Sequence, residues 1–422
     1  MGSQRAHRGQ PHCGVFVLKG GFHQLLGSSR GDRTQCGNRQ RSLRGVVIRG
    51  TFGQQLPRVR GENVGRHQQD KASNLHTIPM VTSCLMSELN RMAAVLTAAR
   101  GAVSVIADRL AEPGPGEALV RMEACGICHS DLFVAGLERL PLVPLTLGHE
   151  GIGRVEAVGP GVTRVAAGDR VGITFLAATC GECELCLSGR ERYCARQLNS
   201  GYTAHGALAT RAVVRAQYLA KIPQSLSAAE AAPVCCAGWT AYGAVRESGL
   251  RKGQLLGIFG MGGLGHLAQQ YAAIGGLQVA AVDVSEEKLF MAAELGAEIA
   301  VPAENAGRTL QKQYGGVDAA IVLTPAPAAI EQAFRSVKRT GSVVLVGLSG
   351  GRFELPIVET VLKGIQVRGS FLGTRQDLED ALQLAASGKV KPHVETHPLD
   401  LTPALLGRLQ RGELMGRAVV VF

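Results

Sequence analysis

The sequence predicts an α/β protein in which a doubly wound parallel sheet accompanies a β-rich domain, and three observations carry that prediction. From about residue 239 to 372, apolar strand-like segments alternate with amphipathic helical segments, as in LLGIFG, LGHLAQQYAAIG and LQVAAVDV. Such alternation is typical of βαβ units and a parallel sheet. From 92 to about 238, short apolar segments such as EGIGRVEAVGPGV are separated by Gly, Pro and Asp turns. A glycine-rich loop marks the first strand–helix junction of the alternating part.

Length and composition bound the class of protein. The chain has 422 residues and is 45% hydrophobic, which suits two or three domains with large cores. It has no run of 18 apolar residues and no secretory leader, so we expect a cytoplasmic protein that does not bind membranes. Eleven cysteines in such a chain favour metal ligands or free thiols over disulfides.

The net charge of +11 belongs almost entirely to the first 91 residues. That segment holds 12 Arg and 2 Lys against 2 Asp and 2 Glu, and it shows no helix or strand periodicity. We interpret residues 1–91 as a disordered or non-native extension, with a transit peptide as an alternative. The domains expected after it are 92–238, 239–372 and a return to the first domain at 373–422.

The glycine-rich loop has the context of a dinucleotide-binding fingerprint. GMGGLG follows an apolar strand, opens a helix and precedes a second strand that ends in Asp283, 23 residues after Gly260. Gly260 allows the tight turn, Gly262 lets the backbone approach a pyrophosphate, and Gly265 lets helix and strand pack closely. Asp283 would accept hydrogen bonds from the adenosine ribose and repel a 2′-phosphate. The preferred cofactor is therefore NAD.

Four cysteines in the stretch TCGECELCLSGRERYC predict a closed metal site. Cys180, Cys183, Cys186 and Cys194 can surround one tetrahedral ion and leave no position free. An iron–sulfur cluster is the rival interpretation, but the bacterial ferredoxin spacing differs in its last interval. We therefore interpret the site as structural.

A second candidate metal site is dispersed along the chain. Cys128, His149 and Cys236 offer two thiolates and one imidazole, which leave a fourth tetrahedral position open, as in catalytic zinc sites. Glu150 follows His149 directly and is a possible alternative fourth ligand. From spacing alone, buried thiols and a satisfied histidine remain equally acceptable explanations.

These motifs together resemble the zinc-dependent alcohol dehydrogenases of the medium-chain dehydrogenase/reductase family, of bacterial or yeast type. CHSD, GHE, the four-cysteine lobe, CAGWT and GMGGLG occur in that order between Met92 and Phe422. The resemblance implies a GroES-like catalytic domain at 92–238, with a structural zinc lobe at 180–194. It also implies a Rossmann domain for NAD at 239–372, and two zinc ions per subunit.

The resemblance also implies roles for individual residues. Cys128, His149 and Cys236 match the catalytic zinc ligands, with Glu150 as the alternative ligand. Asp131 matches the carboxylate that orients His149, and Ser130 the hydroxyl that binds the substrate oxygen and accepts its proton. The remaining residues match positions that contact the cofactor: His129, Thr240, Gly260, Gly262, Gly263, Leu264, Gly265, Asp283, Lys288, Leu348 and Arg375.

The function implied is interconversion of primary alcohols, and of secondary alcohols as a further class, with aldehydes or ketones. The expected partners are such small molecules and a second copy of the chain in a homodimer or homotetramer. Two alternatives stay open at this stage. One is a zinc-stabilised nucleic-acid-binding protein that uses the basic segment, although the near-neutral charge of residues 92–422 opposes nucleic-acid binding. The other is a zinc-free reductase of the same superfamily.

Overall fold

The structure is a computed structural model that describes residues 89–348 and 350–422. The predicted extension therefore lies outside the described residues, except for its last three. Among the residues that the structure describes, no helix combines the length and apolarity needed to cross a bilayer.

The first half of the described chain, from Leu89 to Glu247, forms short strands and few helices. Its strands are β1 (Leu89–Leu96), β2 (Val103–Leu110), β3 (Glu117–Gly126), β4 (Leu145–Thr146), β5 (Gly151–Val158), β6 (Arg170–Ile173), β7 (Leu176–Ala178), β8 (Leu198–Asn199), β9 (Arg211–Arg215) and β10 (Ala220–Lys221). Its helices are α1 (His129–Ala135), α2 (Glu184–Leu187), α3 (Ala228–Pro233) and α4 (Trp239–Glu247). A single π-helical turn, Val234–Gly238, joins α3 to α4.

The second part alternates strands with helices, as the sequence predicts. Its elements are β11 (Leu255–Phe259), α5 (Gly265–Ile274), β12 (Gln278–Asp283), α6 (Glu286–Glu294), β13 (Ile299–Pro302), α7 (Ala306–Tyr314), β14 (Val317–Val322), α8 (Pro327–Ser336), β15 (Val337–Leu345), α9 (Ile357–Lys363) and β16 (Gln366–Gly369). The strands pair in parallel in the order β13-β12-β11-β14-β15-β16. The order reverses next to β11, so the loop after β11 lies at the switch point where such sheets bind ligands.

The chain then returns to the β-rich domain and adds two strands to its largest sheet. The last elements are α10 (Arg375–Ala386), β17 (Val394–Pro398), α11 (Thr402–Gln410) and β18 (Arg417–Val421). β18 pairs with β3, so β17 and β18 extend the sheet β10-β6-β5-β3-β18-β17, in which β9 also pairs with β3. The α/β fold class predicted from the sequence, with a parallel Rossmann sheet beside a β-rich domain, is confirmed.

The two domains share part of their apolar core. One buried cluster runs from Ile152 in β5 through Ala237 in the π-helical turn to Leu267 in α5 and Leu378 in α10. The π-helical turn therefore lies at the junction of the domains. Burial at this junction limits how far the elements on either side can shift, because packed interiors tolerate little change in volume.

The first strand begins earlier than the predicted domain boundary at residue 92. Arg91 is buried inside β1, and its guanidinium donates to Asp108 at 2.7 Å and to Thr146 at 3.0 Å. Residues 89–91 are thus part of the folded domain. No apolar pattern marks these residues in the sequence, because Asn90 and Arg91 are polar.

Candidate active site

The dispersed cluster predicted from sequence comes together at the domain junction. The ligand atoms of Cys128, His149, Glu150 and Cys236 lie within 4.8 Å of one another, and all four residues are buried. Cys128 immediately precedes α1, while His149 and Glu150 immediately precede β5. Cys236 lies in the π-helical turn, a type of irregularity that is frequent at functional sites.

Two buried polar atoms in this cluster have no hydrogen-bond partner among the described residues, His149 Nε2 and Glu150 Oε2. An unsatisfied buried polar group costs about 1–3 kcal/mol, and more when it is charged. Burial raises the pKa of Glu150 to about 8, although the positive charge of Arg417 opposes that rise. Two thiols, an imidazole nitrogen and a carboxylate are donors that zinc accepts, so the residues present fit a zinc ion.

The two thiols of the cluster interact directly. A hydrogen bond from Cys236, together with the positive charge of Arg417, holds the pKa of Cys128 well below its usual value. The thiolate is the form of cysteine that ligates a metal. Cys128 is therefore prepared as a ligand by its surroundings.

Asp131 fixes the orientation of His149. Its Oδ2 accepts the backbone N–H of Cys128 at 2.8 Å, and its Oδ1 accepts that of Gly148 at 3.2 Å. The same Oδ1 lies 3.4 Å from His149 Nδ1. A carboxylate on Nδ1 leaves Nε2 as the free ligand nitrogen and raises its basicity.

Arg417 is a site residue that the sequence analysis missed. Its guanidinium is buried, and it donates to Glu150 Oε1 at 2.8 Å and to Cys128 Sγ at 3.5 Å. It comes from the last strand, far from the other members in sequence. A charged residue that opens the apolar strand RAVVVF was the only available signal.

The four cysteines of the lobe also come together. Their sulfur atoms are separated by 3.5 Å for Cys183–Cys186 and Cys194–Cys180, 3.7 Å for Cys180–Cys186 and 4.0 Å for Cys183–Cys194. A tetrahedral ion with Zn–S bonds of about 2.3 Å would place its sulfurs about 3.8 Å apart. Disulfide-bonded sulfurs would lie about 2.05 Å apart. The four thiols therefore fit a closed zinc site.

The glycine loop has the geometry that the sequence predicts for it. Gly260 has φ +101°, a conformation that other residues rarely adopt. A Cβ on Gly262 would meet no atom within 4 Å, whereas one on Gly265 would lie 2.1 Å from the Gly260 carbonyl oxygen. Asp283 ends β12 and accepts the backbone N–H of Met261 at 2.6 Å, so its carboxylate is held against the loop.

One cavity of about 730 Å³ connects the metal cluster to the glycine loop. Of the predicted site residues, those that line it are Cys128, His129, Ser130, Cys236, Thr240, Gly260, Gly262, Gly263, Leu264, Asp283, Lys288 and Leu348. Arg417 lines it as well, and Phe133, Phe175 and Phe371 form aromatic walls. Sequence reasoning missed the three phenylalanines because they come from separate segments without a shared motif.

Two predicted cofactor residues do not line this cavity, Gly265, which packs against the Gly260 carbonyl, and Arg375. The Arg375 guanidinium pairs with Glu191 of the cysteine lobe, donates to the Gln217 carbonyl at 3.1 Å and lies 4.8 Å from the Tyr218 ring centroid. Arg417, by contrast, lies close to the glycine loop. A Cβ added to Gly263 would be only 2.9 Å from the Arg417 guanidinium. The motif GTRQDL gave no information on which side of α10 the arginine lies.

Comparisons with known proteins agree with this geometry. Residues 114–224 match the family described as alcohol dehydrogenase GroES-like domain, and residues 263–387 match zinc-binding dehydrogenase. An alcohol dehydrogenase from Geobacillus stearothermophilus is 46% identical over 312 residues, which cover 72% of this chain and 92% of that protein.

Solved structures share the fold. The alcohol dehydrogenase of the archaeon Aeropyrum pernix has a TM-score of 0.74 and 32% identity, covering 78% of this chain and all of that one. A protein from Sinorhizobium meliloti 1021 solved bound to NADP has a TM-score of 0.72 and 26% identity, covering 79% of this chain and all of that one.

The chain belongs to the zinc-binding alcohol dehydrogenases of the medium-chain dehydrogenase/reductase family. It is an oxidoreductase, and the family resemblance stated from the sequence is confirmed. The comparisons support neither the nucleic-acid-binding alternative nor the zinc-free reductase. Membership of this family implies that the protein binds zinc and a nucleotide cofactor. It does not decide between NAD and NADP, and it does not set the number of zinc ions.

Proposed function

We propose that the protein oxidises primary alcohols, and secondary alcohols as a further class, with NAD as cofactor and two zinc ions per subunit. The observation that carries the proposal is the single cavity that holds the Cys128 and Cys236 side chains at one end and Asp283 at the other. A metal site and a nucleotide loop in one cavity suit hydride transfer between an alcohol and a nicotinamide.

The residues at the metal end divide the chemical work. Zinc bound there supplies a Lewis acid that lowers the pKa of the substrate hydroxyl. Ser130 Oγ, 3.7 Å from Cys128 Sγ, would accept the hydroxyl proton while its own hydroxyl proton passes on to water. Asp131 keeps His149 in the tautomer that leaves Nε2 free. Thr240, buried at the start of α4, lines the same cavity and would contact a nicotinamide ring, which would supply the hydride acceptor.

The preference for NAD rests on Asp283. Its carboxylate ends β12 at the rim of the cavity, where an adenosine ribose would lie, and Lys288 lines the cavity nearby. A 2′-phosphate would bring negative charge to that carboxylate. Since a structural relative binds NADP, the fold accommodates either cofactor. The preference for NAD over NADP is therefore attributed to the negative charge of Asp283 and not to the fold.

The walls of the cavity support an apolar substrate chain. Phe175 packs edge-to-face on His149 with ring centroids 5.0 Å apart, and Phe371 packs on Phe175 at 6.0 Å. Phe133, in α1, also lines the cavity. These rings exclude water from the reacting carbon and favour alcohols whose carbon chain or ring is apolar.

We also propose that the protein is a cytoplasmic homodimer or homotetramer. None of the eight cysteines in the described part of the chain forms a disulfide, which suits a reducing compartment. Ile357, Val358, Val361 and Leu362 of α9 are more than two-thirds exposed. Beside them, β16 pairs only with β15 among the described strands, so its outer edge can receive a second copy. Light scattering would test the assembly, and a monomer would refute it.

A panel of primary, secondary and aromatic alcohols, each assayed for reduced cofactor with NAD and with NADP, tests the proposal. We expect turnover with primary alcohols of apolar chain and a clear preference for NAD. Turnover with NADP alone, or with no alcohol of the panel, would contradict it.

A further inference from the structure

A buried histidine connects the glycine loop to the C-terminal segment. His266, the second residue of α5, is fully buried. Its Nδ1 lies 3.0 Å from the Gly262 carbonyl oxygen, and its Nε2 accepts the backbone N–H of His393 at 3.1 Å. A carbonyl oxygen can only accept and an amide N–H can only donate. The imidazole is therefore neutral, with its proton on Nδ1.

The neutral form is the one that burial favours. Removal from water lowers the pKa of His266 to about 4, against the opposing effect of the Gly262 carbonyl. His266 is also not among the described residues that line the cavity. It therefore provides neither a positive charge for a phosphate nor a proton for substrate, and its role must lie in the two backbone groups that it joins.

A second residue of α5 strengthens the connection. Gln270, one turn after His266, donates to the Lys391 carbonyl at 3.1 Å and accepts the Lys391 N–H at 2.8 Å. Its amide also donates to the His266 carbonyl at 2.9 Å. Together, His266 and Gln270 form an α5 clasp that holds the backbone of residues 391–393, just before β17.

The clasp leads to the metal cluster through one further backbone bond. The His393 carbonyl accepts the Arg417 N–H at 2.9 Å. The Arg417 guanidinium then contacts Glu150 and Cys128. The space is tight, because a Cβ on Gly416 would lie 2.2 Å from the His393 carbonyl oxygen. A shift of His393 would therefore be passed on to Arg417.

We propose that His266 is a positioning residue that holds the phosphate-binding loop and the Arg417–Cys128 side of the metal cluster in fixed register across the two domains. This inference rests on the proposed function, in which the cofactor and the metal-bound substrate must meet. The geometry of reacting groups is demanding, and a misplacement of about 1 Å can cost about 100-fold in rate. A neutral imidazole that hydrogen-bonds one backbone group at each ring nitrogen can hold two segments in a fixed relative position.

The test separates the two ends of the imidazole. In His266→Asn, the shorter amide retains a donor towards Gly262 but does not reach His393. We expect the Kd for NADH, measured by energy transfer from the single tryptophan Trp239, to change by less than about twofold, while kcat falls about tenfold. Hydrogen exchange of the backbone at 391–394 should become faster in the protein without cofactor. Gln270→Leu should also lower kcat and speed hydrogen exchange at 391–394, each by less than His266→Asn does.

A matched control lies on the same helix. Gln269 is fully buried, and its amide donates to the Ala292 carbonyl, so it joins α5 to α6 within the Rossmann domain. Gln269→Leu should lower Tm and leave kcat unchanged. If the His266 and Gln270 variants behave like Gln269→Leu, the positioning role is refuted. A loss of NADH affinity that accounts for the whole loss of rate also refutes it, since His266 would then act on the loop alone.

Failure of the proposed function would look different. A wild-type protein that reduces neither NAD nor NADP with any alcohol would refute that function. In that case, unchanged exchange at 391–394 in His266→Asn would still refute the clasp. If His266→Asn does not fold, Gln270→Leu carries the test, because its side chain is only half-buried.

Discussion

The described part of the chain contains two four-residue candidate metal sites that differ in almost every other respect. The cysteine lobe takes its ligands from 16 consecutive residues, three of them half-buried, and all four are thiols. The dispersed cluster takes its ligands from segments up to 108 residues apart, and all four are buried and chemically mixed. The lobe closes on itself, whereas the cluster opens into the cavity that also holds the glycine loop.

The difference shows how the spacing of the ligands along the chain relates to the role of a metal site. A local set of ligands can organise a loop without help from the rest of the fold. A dispersed set is assembled only when the domain is complete, and its ligands can then be tuned by neighbours such as Asp131 and Arg417. The account therefore predicts large effects on turnover from the cluster and small ones from the lobe.

The largest effect is expected from Cys128→Ala. Removal of one of the two thiols that face the cavity should abolish turnover, while NADH still binds at the glycine loop. Steady-state assays and NADH fluorescence measure the two properties. Cys125→Ala removes a buried thiol three residues earlier that does not line the cavity and whose Sγ donates to the Gly126 carbonyl at 3.6 Å; this variant is the matched control and should keep its activity.

Asp131→Asn should reduce kcat about 10- to 100-fold, the usual cost of losing a carboxylate behind a metal-bound histidine. The amide oxygen can still accept the N–H of Cys128, so the start of α1 is preserved, but the amide NH2 then leaves the Gly148 N–H without an acceptor. The loss is thus expected mainly in kcat and zinc affinity, with a modest fall in Tm. A variant of full activity would remove Asp131 from the site.

Asp283→Asn should narrow the preference for NAD over NADP by about tenfold, because the charge that repels a 2′-phosphate is lost. The ratio of kcat/KM for the two cofactors measures this. Asp318→Asn is the control: that carboxylate also accepts a strand N–H, from Leu255 at 2.8 Å, but does not line the cavity. An unchanged ratio in Asp283→Asn would contradict its assigned role.

The smallest effect on turnover is expected from Cys183→Ser in the lobe. The folded variant should keep kcat within about twofold, since the lobe does not line the cavity. Its stability should fall, and a loss of about 2 kcal/mol would lower Tm by roughly 3 °C in a folded chain of this size. A loss of activity equal to that of Cys128→Ala, measured well below Tm, would end the distinction between the two sites.

The sequence carried the features that depend on local order. The alternation of strands and helices, the glycine loop and the cysteine lobe all lie within short stretches, so their patterns are visible without a structure. The dispersed ligands were found only through the order of their motifs.

The rest depended on tertiary packing. Arg417 contacts Cys128 although the two residues lie far apart in the sequence, and no motif around Arg417 indicates that contact. Arg375 follows a loop motif, but the ion pair with Glu191 holds it at the lobe. His266 follows the glycine loop directly, yet its partner His393 is 127 residues away. Side chains that connect distant segments leave no periodic signal.

The zinc content of the wild type, Cys128→Ala and Cys183→Ser, measured by elemental analysis beside kcat, tests the central claim most directly. The account predicts two zinc ions per subunit in the wild type and one in each variant, with turnover lost only in Cys128→Ala. One zinc in the wild type, or loss of turnover in both variants when the folded protein is assayed, would contradict it.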